Sequence, residues 1–268
     1  MNFLKRIKYY IGIYLYMIKL RIKITLTYRA NFLISFFTNI PIQIVEFLFI
    51  WVIFQNITDL QGWSFYEMTL VYGFMIAAKG LADTFFDNFY EMPKDYIRNG
   101  KFDTVMVQPM NELFNLIARD CYMGAISGFF LGVAIIVVSL MNLPISIGVS
   151  EILLIIAFVL MGGLMFGGLM LISTVPSFYI VDGLDVIWSV YMFYQLALYP
   201  IGIYGTFIKG LVTFIIPFAF VSYYPVAFLL NKSGGFMAML TPLMLALVWF
   251  IGIQLWKKGV HDYGSTGS

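Results

Sequence analysis

The chain has 268 residues, of which 61% are hydrophobic and only 11% are charged. Soluble domains average about 45–50% apolar and about 25% charged residues. One folded core of this length cannot hide so much apolar surface from water, so the composition excludes a soluble enzyme, a secreted disulfide module and a disordered chain. It predicts a polytopic all-α membrane protein. The net charge of +2 adds little, and the single cysteine, Cys121, cannot form an internal disulfide.

Residues 1–29 predict an amphipathic helix that lies in the membrane surface. They contain seven Lys or Arg residues and no acid. Apolar residues recur at helical spacing and basic residues avoid that stripe: Leu4, Ile7, Ile11, Leu15, Ile18 and Ile22 against Lys5, Lys8, Lys19 and Lys23. Anionic lipid attracts such lysines. The alternative is a long disordered basic tail. No removable signal peptide is expected, because no short apolar core is followed by a small-residue cleavage site.

Seven hydrophobic segments follow. Five are uncharged runs longer than the about 20 residues that a helix needs to cross a bilayer, at residues 121–150, 152–181, 186–208, 210–231 and 233–256. Two earlier segments, about 30–54 and 66–87, are interrupted by Glu46 and by Lys79 with Asp83. Residues 30–268 are therefore predicted to form one membrane domain.

Basic residues predict the orientation, because cytoplasmic loops carry an excess of Lys and Arg. They cluster in residues 1–29, in the connection 88–119 and at Lys257 and Lys258. The connections near 55–64 and 142–150 contain none. Both termini and the 88–119 connection are therefore predicted to be cytoplasmic.

Both ends can share one side only if the number of full crossings is even. The weakest segment is 210–230, in which Pro217 and Pro225 each remove a helix N–H and two adjacent tyrosines favour an interface. We expect a re-entrant pair of half-helices that dips in from outside, shielded by protein or by a water-filled cavity. The prediction is six transmembrane helices, with this extracellular hairpin before the last one.

The sequence argues against chemistry on this chain. It has no phosphate-binding P-loop motif and no serine in a nucleophile-elbow pattern. One histidine, His261, and one cysteine do not make a metal site. No catalytic residue, metal, resident cofactor or nucleic-acid partner is expected.

Acidic residues recur at every fourth position, with a lysine one step before them: Lys79, Asp83, Asp87, Glu91 and Asp95. On a helix they form one drifting stripe, which is either the polar wall of a substrate path or gate, or a set of solvated acids beyond the membrane edge. Solvation is favoured for Glu91 and Asp95, since a proline interrupts the helix between them. A path or gate is favoured for Lys79 and Asp83, which can pair within the membrane.

Glu46 lies with Gln43 in the middle of an apolar stretch, about 12 Å below Phe54 at the helical rise. A carboxylate at that depth is costly and suggests a function, such as contact with a cationic substrate. The alternative is a protonated or hydrogen-bonded glutamate in a helix contact.

Glycines at four-residue spacing occur in two segments, as Gly124, Gly128 and Gly132 and as Gly163 and Gly167. This spacing lets helix backbones approach closely. We expect packing within the chain; a seam between two chains is the alternative.

The connection 93–113 is not a plain polar linker. It brings apolar side chains to a predicted cytoplasmic segment, namely Tyr96, Ile97, Phe102, Val105, Met106 and Val107. An apolar patch bordered by charge favours a partner surface, such as a short helix presented to a soluble protein. A helix lying on lipid is the alternative.

Several motifs resemble those of type-2 ABC transporter permeases. The run from Ile97 to Asp103, followed by Gln108-Pro109, is similar to their loop after the second span, which carries a Gly, an acid and a Pro where it docks on the ATPase subunit. Three further features resemble the viologen-exporter-like branch: Gly62-Trp63, the run from Ile216 to Phe220 continuing to Tyr224-Pro225, and the ending from Tyr263 to Ser268.

The resemblance implies an interfacial N-terminal helix, six spans and a re-entrant hairpin before the sixth. It also implies a bacterial plasma-membrane exporter in which two permease chains, identical or paralogous, pair with two separate subunits that bind ATP and Mg²⁺. Coupling to the ATPase is then expected at Ile97, Arg98, Gly100, Phe102, Asp103 and Pro109. The path or gate is expected at Glu46, Lys79, Asp83, Pro217, Tyr224 and Pro225.

The expected function is half of an export path for amphipathic compounds or peptides. An exporter subunit for an envelope polymer or a lipid-linked glycan is an alternative within transport. A non-transporting scaffold or immunity protein needs no ATPase. An ion-driven carrier that uses Glu46, Lys79 and Asp83 would depend on an ion gradient.

Overall fold

The computed structural model describes residues 3–180 and 183–264. Helices make up 82% of the structure, and the described residues contain no strand beyond one isolated bridge between Leu60 and Trp63, which confirms the all-α class. The α-helices are α1 (Phe3–Thr27), α2 (Arg29–Asn56), α3 (Phe65–Phe85), α4 (Asn88–Glu91), α5 (Lys101–Met106), α6 (Glu112–Arg119), α7 (Ile126–Met141), α8 (Val149–Thr174), α9 (Leu184–Phe193), α10 (Thr206–Gly210), α11 (Tyr223–Leu229) and α12 (Thr241–Asp262).

The chain is a multi-pass membrane protein. Within the described residues, four helices are long and apolar enough to cross a membrane: Arg29–Asn56, Met123–Met141, Val149–Phe178 and Gly235–Asp262. A fifth candidate is a pair bent by 74°, Thr206–Ile215 with Phe218–Leu229. Six spans stay a prediction, because α3 carries three charged residues and Leu184–Leu198 is short for a crossing.

Helix α3 is the centre of the bundle, since two thirds of its residues are buried. Its backbone touches that of α7. A Cβ added to Gly80 would lie 2.2 Å from the backbone nitrogen of Phe129, and one added to Gly132 would lie 2.3 Å from that of Ala77. Only glycine permits so close an approach. The predicted packing of Gly132 within the chain is confirmed, and its neighbour Gly80 adds a second close approach.

Helix α8 packs between α3 and α12 through its own glycines. A Cβ on Gly163 would meet Leu81 at 3.0 Å, and one on Gly168 would meet Val248 at 2.8 Å. The Trp249 indole N–H donates to the Leu164 carbonyl across the same contact, at 2.9 Å. These contacts hold α12 against α8 over much of its length.

The segment 206–229 breaks where the prolines predicted. Helix α10 continues through Leu211–Ile215, and the chain turns at Pro217 before α11. Phe218–Phe220 and most of α11 are buried, so the interrupted backbone at the bend is enclosed by protein, as apolar surroundings require. The bend fits either a broken span or a re-entrant hairpin, and the hairpin stays a prediction.

Helix α1 packs on α6 and the residues that follow it. The Tyr10 ring lies 4.7 Å from that of Phe114. Arg21 forms an ion pair with Asp120 at 2.8 Å and donates to the Arg119 carbonyl at 2.9 Å.

The stripe predicted for α1 does not form this contact. Ile11, Leu15 and Ile22 are exposed, as they must be if the helix lies on lipid. The side chains of Leu4 and Ile7 lie outside the described part of the chain.

Replacing Gly132 with Ala forces α7 away from α3, because the new methyl group has no space beside Ala77. We expect the free energy of unfolding to fall by about 1–3 kcal/mol, measured by SDS titration in detergent. Gly12→Ala is the control, since a Cβ there meets nothing within 4 Å and alanine favours a helix by about 0.5–1 kcal/mol. Equal losses in both variants would contradict the close packing.

Candidate functional site

A cavity of about 430 Å³ opens between α2, α3, α4 and α9. Its wall combines charged and aromatic side chains, which are Lys79, Asp83, Asp87, Glu91 and Lys94 together with Tyr90, Tyr122, Trp188 and Tyr191. Asn39 and Gln43 of α2 complete one side. A polar, ring-lined cavity among apolar helices is the feature expected of a ligand path.

Lys79 and Asp83 form the predicted pair in this wall. The ammonium of Lys79 lies 2.7 Å from Asp83 Oδ2, and the two side chains are only 14% and 16% exposed. The same ammonium lies 4.8 Å from the centre of the Tyr191 ring and 5.6 Å from that of Tyr194. A buried charge is thus balanced by one carboxylate and by two aromatic faces.

The remaining acids of the stripe divide between two environments. Asp87 and Glu91 line the cavity. Asp95 lies outside it and pairs with Lys101 at the surface. The hydrogen bond from Lys101 lowers the pKa of Asp95, so this carboxylate stays charged and holds the loop end of the stripe in place.

Glu46 accepts a hydrogen bond from Tyr194 and lies beside Tyr72. Tyr194 donates its hydroxyl to Glu46 Oε1, and the Tyr72 hydroxyl lies 3.3 Å from Oε2 and 2.6 Å from the Gln43 carbonyl oxygen. The structure therefore has the hydrogen-bonded glutamate of the alternative interpretation. Because Tyr194 also faces the ammonium of Lys79, the three residues predicted for the path belong to one connected group.

Sequence reasoning missed the tyrosines that connect this group. Tyr191 and Tyr194 are three residues apart, in α9 and in the tighter turn Tyr194–Leu198 that follows it. That spacing places both rings on one face of the chain. It is the only feature of the sequence that could have indicated their shared role. Which charged residues would meet that face depends on the packing of α9 against α2 and α3.

The predicted gate residues do not line the cavity. Tyr224 is buried in the bent segment, where its hydroxyl lies 3.3 Å from Thr213 Oγ1. Pro217 forms the bend, and Pro225 is buried in the first turn of α11. Their role as a gate stays a prediction.

Lys232, just after the bent segment, binds residues at the start of α3. Sequence reasoning did not find this contact. Its ammonium lies 3.0 Å from Glu67 Oε1, 2.7 Å from the Gly62 carbonyl oxygen and 4.7 Å from the centre of the Trp63 ring. Trp63 also packs on Tyr223, with 5.4 Å between ring centres. The Gly62-Trp63 motif therefore serves to dock α11.

The connection after α4 is compact rather than extended. A π-helical turn, Met92–Arg98, leads to Gly100, whose φ of +67° is in the left-handed region that favours glycine, and then to α5. Helix α6 begins at its cap Asn111, whose side chain accepts from the Phe114 N–H at 3.0 Å. The Gln108 side chain accepts from Asn115 at 2.6 Å.

The residues predicted for coupling lie on different sides of this connection. Arg98 and Pro109 are exposed, Ile97 and Asp103 are half-buried, and Phe102 is fully buried. Of the apolar patch, Tyr96, Phe102 and Val105 face inward, whereas Met106 and Val107 are exposed, Val107 by 82%. The surface open to a partner is therefore smaller than expected, because half of the patch packs on the chain itself.

Phe102 packs into an aromatic cluster at the ends of α8 and α12. Its ring centre lies 5.4 Å from that of Phe178, 5.9 Å from that of Trp256 and 5.1 Å from that of Tyr263. The Tyr263 hydroxyl donates to Asp103 Oδ1 at 3.1 Å. Of the ending that the sequence singled out, Tyr263 thus has a defined place, and residues 265–268 lie outside the described part.

Within residues 3–180 and 183–264, no group of three or more His, Cys, Asp or Glu side chains could hold a metal ion.

A family model described as ABC-2 family transporter protein matches residues 40–267. The match covers the bundle, the cavity and the connection between α4 and α6. The chain belongs to the ABC-2 transporter family. No curated protein and no solved structure matches it.

The family makes the chain a permease, the membrane component of an ABC transporter. Permeases of this family normally work with an ATP-binding subunit. The match confirms the type-2 ABC permease resemblance. The viologen-exporter-like branch stays a prediction.

In the permease, Lys79→Met leaves Asp83 buried without a counterion, and we expect the free energy of unfolding to fall by about 3 kcal/mol. Adding Asp83→Leu should restore most of the loss, because neither charge then remains. The measurement is SDS titration in detergent.

The matched control is Lys101→Met, whose partner Asp95 lies at the surface; it should cost at most about 1 kcal/mol. A double variant no more stable than Lys79→Met would contradict the balance of charge between the two residues.

Proposed function

We propose that this permease is the membrane subunit of an ATP-driven exporter in the bacterial plasma membrane and forms half of the path for amphipathic compounds or peptides. The observation that carries the proposal is the cavity beside Lys79, Asp83 and Tyr191, which combines charge with aromatic faces inside an apolar bundle. Such a wall accommodates a molecule that has both a charged and an apolar part.

The substrate would reach this cavity from the inner leaflet or the cytoplasm and leave along the seam between two permease chains, identical or paralogous. Acidic side chains and tyrosine faces favour a positively charged group on the substrate. The bent segment around Pro217 and Tyr224 would act as the external gate, because its helix is interrupted at Pro217.

ATP and Mg²⁺ would bind the partner subunit, and this chain would receive the resulting motion. The connection from Met92 to Pro109 is suited to this role because it is folded rather than loose: Asp95 pairs with Lys101, and Gln108 bonds to Asn115. A folded element transmits displacement between two states of the bundle, whereas a flexible linker absorbs it. The N-terminus and C-terminus would lie on the same, cytoplasmic side.

One observation favours a second candidate, an ion-driven carrier. Glu46, Lys79 and Asp83 form a connected, half-buried group, and such groups bind protons or ions in carriers. Transport by that mechanism would collapse with the ion gradient and would ignore ATP.

The first experiment is purification of the tagged permease from its native membranes in mild detergent. We expect a soluble ATP-binding subunit to co-purify in stoichiometric amount. Val107→Asp should lower its yield about tenfold, the loss typical of one buried apolar anchor. Val149→Asp is the matched control, because Val149 is equally exposed, at 75%, but lies in the connection predicted to be outside.

Equal yields from the two valine variants would contradict docking at the tip of α5. If the permease purifies alone under conditions that preserve other ABC complexes, the ATP-driven mechanism is wrong and gradient-driven transport should be measured instead.

Coupling can be tested at Gly100. Gly100→Ala places a side chain in the left-handed region, at a cost of about 1–2 kcal/mol, so the loop should shift. We expect permease-dependent ATP hydrolysis to fall while membrane insertion stays normal. Gly210→Ala, in ordinary helical backbone with nothing within 4 Å of the new methyl group, should leave hydrolysis unchanged. Normal hydrolysis in Gly100→Ala would count against this loop.

A further inference from the structure

We propose that Tyr263 is a positioning residue that fixes α5 to the C-terminal end of α12, so that the two move as one body when the partner subunit moves α5. The proposal rests on the proposed function, in that α5 is where force from an ATP-binding subunit would enter. Neither the family match nor the motifs assign a role to this tyrosine.

Tyr263 holds α5 by two different contacts. Its ring packs edge-on against Phe102, with 5.1 Å between ring centres, and its hydroxyl donates to Asp103 Oδ1 at 3.1 Å. Phe102 and Asp103 are adjacent residues of α5. One side chain directly after α12 therefore contacts both an apolar and a polar residue in the first turn of α5.

The surrounding aromatic cluster makes these two contacts rigid. Phe102 has no exposed surface and Trp256 is 2% exposed, and the Phe178 ring contacts both, at 5.4 and 5.2 Å. Gly259 allows the approach, because a Cβ there would lie 2.4 Å from the Phe178 ring. Well-packed aromatic contacts of this kind have few alternative arrangements.

The hydrogen bond has the right chemistry to persist. Burial, together with the bond to Asp103, raises the pKa of the Tyr263 hydroxyl to about 12. The hydroxyl therefore keeps its proton throughout the physiological pH range, and a carboxylate acceptor makes the bond stronger than one between neutral groups.

A displacement of α5 would then reach two long helices at once. Trp256 lies in the last two turns of α12, Tyr263 directly follows that helix, and Phe178 ends the turn that follows α8. Farther along, Trp249 bonds to Leu164 at 2.9 Å, so α8 and α12 stay together. The contacts of Tyr263 with α5 decide whether α8 and α12 move when α5 moves.

The chain provides a matched control at the same end of α12. Tyr179 donates its hydroxyl to Asp262 Oδ2 at 3.0 Å, which is again a tyrosine–aspartate bond. It joins the residue after Phe178 to α12 and does not reach α5. Loss of this bond should therefore leave the contacts of Tyr263 with α5 intact.

The test is a distance measurement by pulsed electron spin resonance between spin labels at Thr104 on α5 and Lys258 on α12, both exposed, in a Cys121→Ala background. We expect a narrow distance distribution in the wild type and in Tyr179→Phe. Tyr263→Phe, which keeps the ring, should broaden it slightly, and Tyr263→Ala should broaden it strongly. This part needs no substrate and no partner subunit.

The second readout is ATP hydrolysis by the complex. Tyr263→Phe should lower permease-dependent hydrolysis about fivefold, the equivalent of one typical hydrogen bond, with the yield of co-purified subunit unchanged; Tyr179→Phe should have no effect. Unaltered distances in Tyr263→Ala would overturn the proposal. So would broadened distances with normal hydrolysis, since the contact would then be structural only. If no ATP-binding subunit co-purifies, the proposed function fails, while the distances still decide whether Tyr263 joins the two helices.

Discussion

The backbone contact between α3 and α7 is the constraint on which the site depends. Because Gly80 and Gly132 let these helices touch, α3 is enclosed by its neighbours over most of its surface. The ion pair of Lys79 with Asp83 lies on the face of α3 where Tyr191 of α9 lines the cavity. The same helix contact therefore accounts for the tight apolar packing on one side of α3 and for the balanced ion pair on the other. A buried charge is tolerated only where partners converge on it.

Much of the bundle could be predicted from where charges and prolines occur. The uncharged runs located α7, α8 and α12, and the apolar segment around Glu46 located α2. The four-residue spacing of Lys79 and Asp83 predicted their pairing, because it depends on neighbours along one helix. The break at Pro217 was predictable for the same reason, since a proline cannot supply the helix N–H. The prediction that failed is which apolar residues of the connection 93–113 face a partner. Phe102 and Val105 were assigned to a partner surface, but both are buried and Phe102 packs on the ends of α8 and α12. No local pattern distinguishes a foreign surface from one supplied by distant segments of the same chain.

The site shows the same limit. Glu46 could be identified as anomalous from its depth, but its neighbours Tyr72 and Tyr194 lie 26 and 148 residues away in sequence. A carboxylate that accepts from the Tyr194 hydroxyl has a partner within the chain, so its position alone does not require a substrate. Its link to function runs instead through Tyr194, whose ring faces the ammonium of Lys79. A change in the charge of the Lys79–Asp83 pair would reach Glu46 through that ring.

The cavity and the loop are separated by very little structure. Tyr90 and Lys94 line the cavity, and the next residue, Asp95, pairs with Lys101 at the start of α5. The turn between them, Met92–Arg98, is π-helical, a geometry that is rare and often found at functional sites. Thr174 and Asn88 bond to backbone carbonyls across the gap, at 2.9 and 2.7 Å, and so tie α4 to α8 and α6. Because only Asn99 and Gly100 separate this turn from α5, any displacement of α5 must either strain the turn or move the cavity wall.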